Sequence, residues 1–288
     1  MTMAAARIAL PDGTALPPLG LGTWRFGEQA AHRRAEVAAL REAFEIGYRL
    51  IDTAEMYGEG GAETVLGQAL AEAWRAGALK REDLFIVSKV YPHNASRDGT
   101  VAACERSLKR LGLDHLDLYL LHWRGQHPLA HTVAGMQALQ AAGRIRHWGV
   151  SNLDTDDMQE LFAAGGQACA CNQVYYSPSE RDVEASLLPW LRERRIPLMA
   201  YSPIDQGALG DDDTLAAIGA RHGGASAAQV ALAWLMAQGG VLPIPKAGSA
   251  AHLRENFAAI DLRLTDDDRR AIDARFPPPR RKRPLAMI

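Results

Sequence analysis

Short runs of apolar and β-branched residues recur along this chain, separated by longer segments whose apolar positions return every three or four residues. The first four runs are LGLGT from Leu19, RLID from Arg49, LFIVSK from Leu84 and LDLYLLH from Leu116. Four more follow: IRHWGVS from Ile145, ACNQVYY from Ala170, PLMAYS from Pro197 and VLPIP from Val241. Each is short and apolar enough to be a strand covered on both faces. Between them, Val37, Leu40 and Phe44 form a stripe at helical spacing. Val101, Cys104, Leu108 and Leu111 form another, and Leu253, Phe257 and Ile260 a third. Eight strands alternating with helices predict a parallel sheet.

Two architectures share that pattern. A doubly wound sheet should carry G-x-G-x-x-G directly after its first strand. Here Gly20-Leu21-Gly22 is followed by Thr23, Trp24 and Arg25, so the third glycine is missing. Eight repeats without the fingerprint predict a (β/α)8 TIM barrel. The opening IALPDGTALPPLG reads as a β-hairpin turned at Asp12-Gly13 that plugs the barrel floor. No composition shift or Pro/Gly/Ser linker divides the chain, so residues 1–288 read as one domain.

Composition narrows the function classes. With 48% hydrophobic residues, the 288-residue chain can bury a large core and is not of disordered type. Its 32 basic and 34 acidic residues give a formal net charge of −2, which excludes a whole-chain polycation that binds nucleic acid. A local phosphate site stays open. Cys104, Cys169 and Cys171 lack a matching His or Cys pair, so they read as buried reduced thiols and no metal site is expected. No apolar run approaches the roughly 20 residues of a membrane span. The amino-terminal MTMAAARIALPDG has no long apolar region and reads as no signal peptide. A soluble, cytoplasmic protein is expected.

In a barrel, side chains at the carboxyl ends of the strands converge on one rim. Asp52 follows the second strand and Tyr57 lies five residues on; Lys89 ends the third strand and His122 the fourth. Singly, Asp52 could cap a helix, Tyr57 could be a loop aromatic and His122 a satisfied core histidine. Lys89 is harder to dismiss, because a lysine ending an apolar strand must find a partner or lose its charge. Together the four make an acid. A phenol titrates near ~10 in isolation, too high for an efficient proton donor at neutral pH, and a neighbouring cation lowers that value. Lys89 supplies the cation, Asp52 holds it charged, and His122 orients a carbonyl oxygen toward the Tyr57 hydroxyl.

These residues stand in a series of ordered motifs: LGLGTW, IDTAEMYG, VSK, LLHW, GVSN, NQV, YSP, and IPK followed by REN. Over nearly its whole length the chain resembles the aldo-keto reductases, and among them most resembles the bacterial methylglyoxal and diketo-gluconate reductases. The resemblance implies a catalytic tetrad of Asp52, Tyr57, Lys89 and His122. It also implies an extended NADPH bound across the barrel mouth without a Rossmann unit, with NADH as the weaker alternative. Gly22, Thr23, Trp24 and Asp52 would border the cofactor. Ser151, Asn152 and Gln173 would hold the carboxamide, and Tyr201 would stack on the nicotinamide. The loop Ser202-Pro203-Ile204-Asp205-Gln206 would cover the pyrophosphate. Lys246 and His252 would face the 2′-phosphate, with Glu255 and Asn256 near the adenine. Ser151 and Asn152 would equally suit a helix cap. Many relatives have Arg where this chain has His252, and an imidazole cannot replace a bidentate guanidinium, which weakens the phosphate site. Arg254, two helical positions on, should point elsewhere.

Trp24, Met56, Tyr91, His122 and Trp123 are the candidates for a substrate pocket suited to small aldehydes, 2-oxoaldehydes or keto sugar acids. The tail FPPPRRKRPLAMI is short and implies an open pocket, with Arg280, Arg281, Lys282 and Arg283 as a solvated turn or, less simply, a nuclear signal or an anion-binding lip. The expected protein is a monomer without nucleic-acid or membrane partner. Two rivals remain: a Schiff-base aldolase using Lys89, which needs a neutral amine, and an NADPH-binding sensor with little turnover.

Overall fold

The hairpin expected at the start is present: β1 (Ile8–Ala9) and β2 (Ala15–Leu16) pair antiparallel on either side of Asp12-Gly13. The computed structural model describes residues 8–288; the segment 1–7, on which the signal-peptide reading largely rests, lies outside the described residues. Strand and helix then alternate through β3 (Leu21–Gly22), α1 (Arg33–Ile46), β4 (Leu50–Asp52), α2 (Gly61–Arg75), β5 (Phe85–Val90), α3 (Arg97–Leu111), β6 (Leu116–Leu121) and α4 (Leu129–Ala141). The second half runs β7 (Ile145–Ser151), α5 (Thr155–Ala163), β8 (Asn172–Tyr175), α6 (Leu187–Glu193) and β9 (Leu198–Tyr201). It ends with α7 (Asp213–Arg221), α8 (Ala227–Met236), β10 (Val241–Pro243), α9 (Ala250–Ala258) and α10 (Asp266–Arg275).

Strands β3 to β10 pair in parallel and in chain order. The Gly20 and Gly22 amides donate to the carbonyls of Pro243 and Pro245, each at 3.0 Å, which joins β3 to the chain leaving β10 and closes the barrel. Glycine is required at that seam. A Cβ on Gly20 would stand 2.5 Å from a Leu50 methyl and 2.8 Å from one of Ile244.

Alternation along each strand divides the apolar residues between two cores. In β6, Leu118 and Leu120 point into the barrel, while Tyr119 and Leu121 face the helices. Ile8, Leu10 and Leu16 of the hairpin share the inner core with Leu118, Met199 and Leu242, so the hairpin plugs the floor as expected. Polar contacts pin it there. His147 of β7 meets the Asp12 carboxylate at 2.8 Å and the Thr14 hydroxyl at 3.5 Å, and elsewhere on the floor the buried Asp117 accepts from the Ile86 amide (2.8 Å) and Arg81 (2.7 Å). The floor is thus tied for stability, and the opposite rim is left for chemistry.

All three cysteines are buried and free, and burial pushes the Cys169 thiol up to about 12, a structural rather than reactive value. No described helix is long and apolar enough to cross a membrane.

Candidate active site

Asp52 ends β4, Lys89 lies near the end of β5, and His122 follows β6 directly, so parallel register brings three strand ends to one point. Tyr57 reaches the same point from the loop after β4. That loop is set by a close crossing in which a Cβ on Gly27 would lie 2.1 Å from the Gly61 backbone. Only glycine lets the loop after β3 approach so near.

Lys89 is fully buried, and its ammonium donates to Asp52 Oδ2 at 2.7 Å, the Thr53 carbonyl at 2.9 Å and the Tyr57 hydroxyl oxygen at 3.1 Å. Its three N–H donors are all engaged. Tyr57 therefore accepts from Lys89 and keeps its own O–H to donate elsewhere. The other Asp52 oxygen accepts from Gln173 Nε2 at 2.8 Å. The His122 ring stands edge-on to Tyr57, with centroids 5.7 Å apart.

Burial pulls the Lys89 ammonium toward neutrality, but the carboxylate of Asp52 and the oxygen of Tyr57 outweigh it and hold the pKa above the usual lysine range. Burial likewise pushes the Tyr57 phenol up; Lys89 pulls it down and the Asp52 charge pushes it up again, so the net direction is upward. This corrects the expectation of a lowered phenol. The cation acts in the expected direction, but the loss of water around the hydroxyl is larger. Tyr57 accordingly keeps its proton at neutral pH. Burial, then the Lys89 charge, holds His122 well below the usual imidazole value, so it is neutral. Its Nδ1 is buried without a partner. An orphaned acceptor costs less than an orphaned N–H, which assigns the proton to Nε2, the nitrogen able to donate into the cavity.

Above this group opens a cavity of about 640 Å³. Of the expected residues, Gly22, Trp24, Asp52, Met56, Tyr57, His122 and Trp123 line it, with Ser151, Asn152, Gln173 and Tyr201. Ser202, Pro203, Ile204 and Gln206 form one wall, and Lys246 and His252 stand exposed at its border. Tyr201 stacks one face on Tyr175 (5.7 Å, 15°), and its hydroxyl donates to Asn152 Oδ1 at 2.9 Å. Asn152 in turn donates to the His122 carbonyl at 3.1 Å. The cap of α5 is Asp154, whose carboxylate accepts the Asp156 and Asp157 amides, so Ser151 and Asn152 are free of that role.

Six expected residues do not line the cavity: Lys89 (which reaches it through Tyr57), Thr23, Tyr91, Asp205, Glu255 and Asn256. Thr23 is buried and its hydroxyl donates to the Asp52 carbonyl at 3.0 Å, fixing the β3 loop on β4. Tyr91 stands behind Trp123 in an edge contact at 5.7 Å. Glu255 and Asn256 lie beyond the wall on α9, Asn256 buried. Arg254 pairs with Glu42, away from the cavity, as its helical position predicted. Conversely, Arg25, Gly207, Ile244, Met287 and Ile288 line the cavity without having been singled out. Arg25, its guanidinium 4.4 Å over the Trp24 ring, was visible as a cation beside a rim tryptophan. Met287 and Ile288 left no local signal.

The tail is anchored by ion pairs. Lys282 pairs with Asp156 (2.6 Å) and Asp154 (3.4 Å), and Arg283 reaches Asp182 at 4.0 Å. The tail ends at the cavity, which Met287 and Ile288 line while staying largely exposed. Two of the four basic residues are thus ion-paired.

Residues 18–275 match the Aldo/keto reductase family. The chain is 46% identical over 287 residues to the methylglyoxal reductase YeaE of Escherichia coli, covering 98% of each. It is 35% identical over 269 residues to a glyoxal reductase of Bacillus subtilis, covering 93% of this chain and 91% of the relative. Among solved structures, an aldo-keto reductase from Klebsiella pneumoniae in complex with NADPH superposes with a TM-score of 0.93 at 45% identity, covering 99% of this chain and 100% of the other. With a barrel of this topology and four polar groups joined at its rim, this chain belongs to the aldo/keto reductase family.

Proposed function

We propose that this chain reduces small aldehydes and ketones to alcohols with NADPH, with 2-oxoaldehydes such as methylglyoxal the foremost candidates. One observation carries the reading: a buried, charged Lys89 with every donor engaged, holding Tyr57 at the cavity edge with its O–H free. The dinucleotide fits the groups on the cavity wall. Tyr201 offers the ring face left open by Tyr175, and Gln173 spends its NH2 on Asp52, which leaves its carbonyl for an amide donor. Lys246 and His252 both border the cavity and suit a 2′-phosphate, with NADH the weaker ligand.

When bound, the nicotinamide supplies a hydride from its C4 to the substrate carbonyl carbon. The chain's own residues do the rest. His122, neutral and donating from Nε2, orients the carbonyl oxygen beside Tyr57. Tyr57 gives that oxygen its proton, and Lys89 at 3.1 Å stabilises the phenolate left behind. Asp52 holds Lys89 charged and aimed. Trp24, Met56 and Trp123, with Met287 and Ile288, give an apolar wall suited to compact, uncharged carbonyl compounds. The reading is of residues 1–288 as one domain, a cytoplasmic monomer acting on small molecules.

A Schiff-base aldolase is disfavoured, because a nucleophilic amine needs a free lone pair and Lys89 is a charged donor on all three N–H groups. The test is NADPH consumption over a panel of carbonyl compounds, with Tyr57→Phe beside the wild type. Multiple turnovers are expected, falling ~10²–10⁴-fold in the variant while NADPH still binds. A wild type that binds NADPH but turns over no carbonyl compound would be a sensor, and a variant retaining half its activity would refute the acid assignment.

A further inference from the structure

Glu55 is a buried carboxylate that the catalytic group does not use. It lies in the loop after β4, two residues before Tyr57, and its amide donates to the Lys89 carbonyl at 3.5 Å. Its side chain crosses to the turn after β5. There Oε1 accepts both the Tyr91 amide at 2.8 Å and the Asn94 side-chain amide at 3.0 Å, so one oxygen holds the two ends of the turn 91–94. The other oxygen meets the half-exposed Arg106 of α3 at 3.4 Å. Burying a carboxylate is costly unless it is paired and hydrogen-bonded. These three donors meet that need, and two of them belong to a single turn.

That turn supports the cavity wall. The Tyr91 ring packs against His93 at 4.6 Å and meets Trp123 edge to face at 5.7 Å. Trp123 lines the cavity, and its ring lies 4.8 Å from that of His122. The His127 ring donates to the His93 carbonyl at 3.1 Å, which joins the turn to the loop after β6. A path of contacts thus runs from the loop of Tyr57, through Glu55 and Tyr91, to Trp123 and His122.

We propose that Glu55 is a positioning residue that clamps the turn 91–94 and so holds Trp123 in place against the carbonyl substrate. The inference rests on the proposed reduction of small carbonyl compounds. A substrate the size of methylglyoxal has too few atoms to order a loose wall, so the wall must be ordered beforehand. Glu55 is not on the cavity wall, so it governs substrate fit and leaves hydride and proton transfer to the groups at the rim.

The experiment measures KM and kcat for methylglyoxal at saturating NADPH in the full chain, with NADPH affinity and thermal melts beside them. Glu55→Ala takes the acceptor from both turn donors. KM should rise roughly 10-fold, the effect of losing a hydrogen bond to a charged group, with kcat and NADPH affinity nearly unchanged. Glu55→Gln keeps an oxygen for the two donors but loses the charge that Arg106 meets. It should melt below the wild type and yet keep the wild-type KM, whereas a purely structural glutamate would move KM and melting together. Tyr91→Ala keeps the amide and deletes the ring, so it should raise KM as Glu55→Ala does. The two combined should be no worse than the worse single variant. If Glu55→Ala does not fold, Asn94→Ala removes one of the two donors and should raise KM by a smaller factor. An unchanged KM in Glu55→Ala, or in Asn94→Ala where that variant stands in for it, would overturn the clamp while the reductase reading stands. So would a raised KM in Glu55→Gln, additive effects, or a fall in kcat without a rise in KM. A wild type that turns over no carbonyl compound would overturn both.

Discussion

Replacing Lys89 by methionine removes the one cation in the catalytic group while nearly preserving side-chain volume. The ammonium stands 3.1 Å from the Tyr57 oxygen. At an effective dielectric constant of ~20, a phenolate at that range loses ~5 kcal/mol of attraction. That raises the phenol further from a value already above the usual range, and slows proton delivery by ~10³-fold or more. A second effect must be separated from the first. Asp52, 2% exposed, would keep only the Gln173 donor, and breaking a buried ion pair destabilises a protein by about 3–5 kcal/mol. Asp52→Asn/Lys89→Met removes both charges and should recover most of that stability without recovering turnover. The assay is kcat for methylglyoxal at saturating NADPH for both variants, with thermal melts and NADPH affinity as controls. A folded Lys89→Met within tenfold of the wild-type kcat, or a double variant that regains activity, would refute the role given to the cation.

Other outcomes follow from the same geometry. Lys246→Ala should erase most of the discrimination between NADPH and NADH, whereas His252→Arg should tighten NADPH by about 1–2 kcal/mol through a bidentate fork and leave NADH unchanged; fluorescence titration of both cofactors checks the pair. Asp12 is held down to about 2, by the Thr14 amide first and by His147, so it stabilises the fold above the unfolded carboxylate pKa and loses that contribution as pH falls toward 2. Asp12→Asn should therefore flatten the acid limb of a melting-temperature profile below about pH 4, by a modest amount because the side chain is largely exposed; an unaltered limb would mean the hairpin contact adds nothing. Tyr57→Phe should lower the melting temperature measurably, since it leaves one N–H of the buried Lys89 ammonium without its acceptor while the bonds to Asp52 and Thr53 remain; a thermal melt beside the wild type checks this.

The strand order, the barrel and the plugged floor were legible in the sequence because they follow from local alternation. Each strand is short and covered on both faces, each helix carries a stripe, and parallel neighbours need a helical crossover. The four polar residues were legible for a related reason. Once the strands are placed, their carboxyl ends share one rim, and Asp52, Lys89 and His122 stand at those ends whatever the details of packing.

Which of the remaining residues face the cavity was decided only by the assembled molecule. Tyr91 and Trp123 look alike in sequence, yet one stands behind the other. Thr23 adjoins the cavity-lining Gly22 and Trp24 but spends its hydroxyl on the Asp52 carbonyl. Met287 and Ile288 line the cavity at the end of a tail whose Lys282 meets Asp154 and Asp156 at the start of α5, more than a hundred residues earlier in the chain. The direction of the Tyr57 shift belongs to the same class. Adjacency to Lys89 gave the sign of one contribution, but the total also includes the water excluded by every surrounding segment. Periodicity is written into neighbours a few residues apart and so can be read along the chain. Burial and charge are sums over whatever the fold brings near, as when Gln173 meets Asp52 across 121 residues, and they take their values only once the barrel has closed.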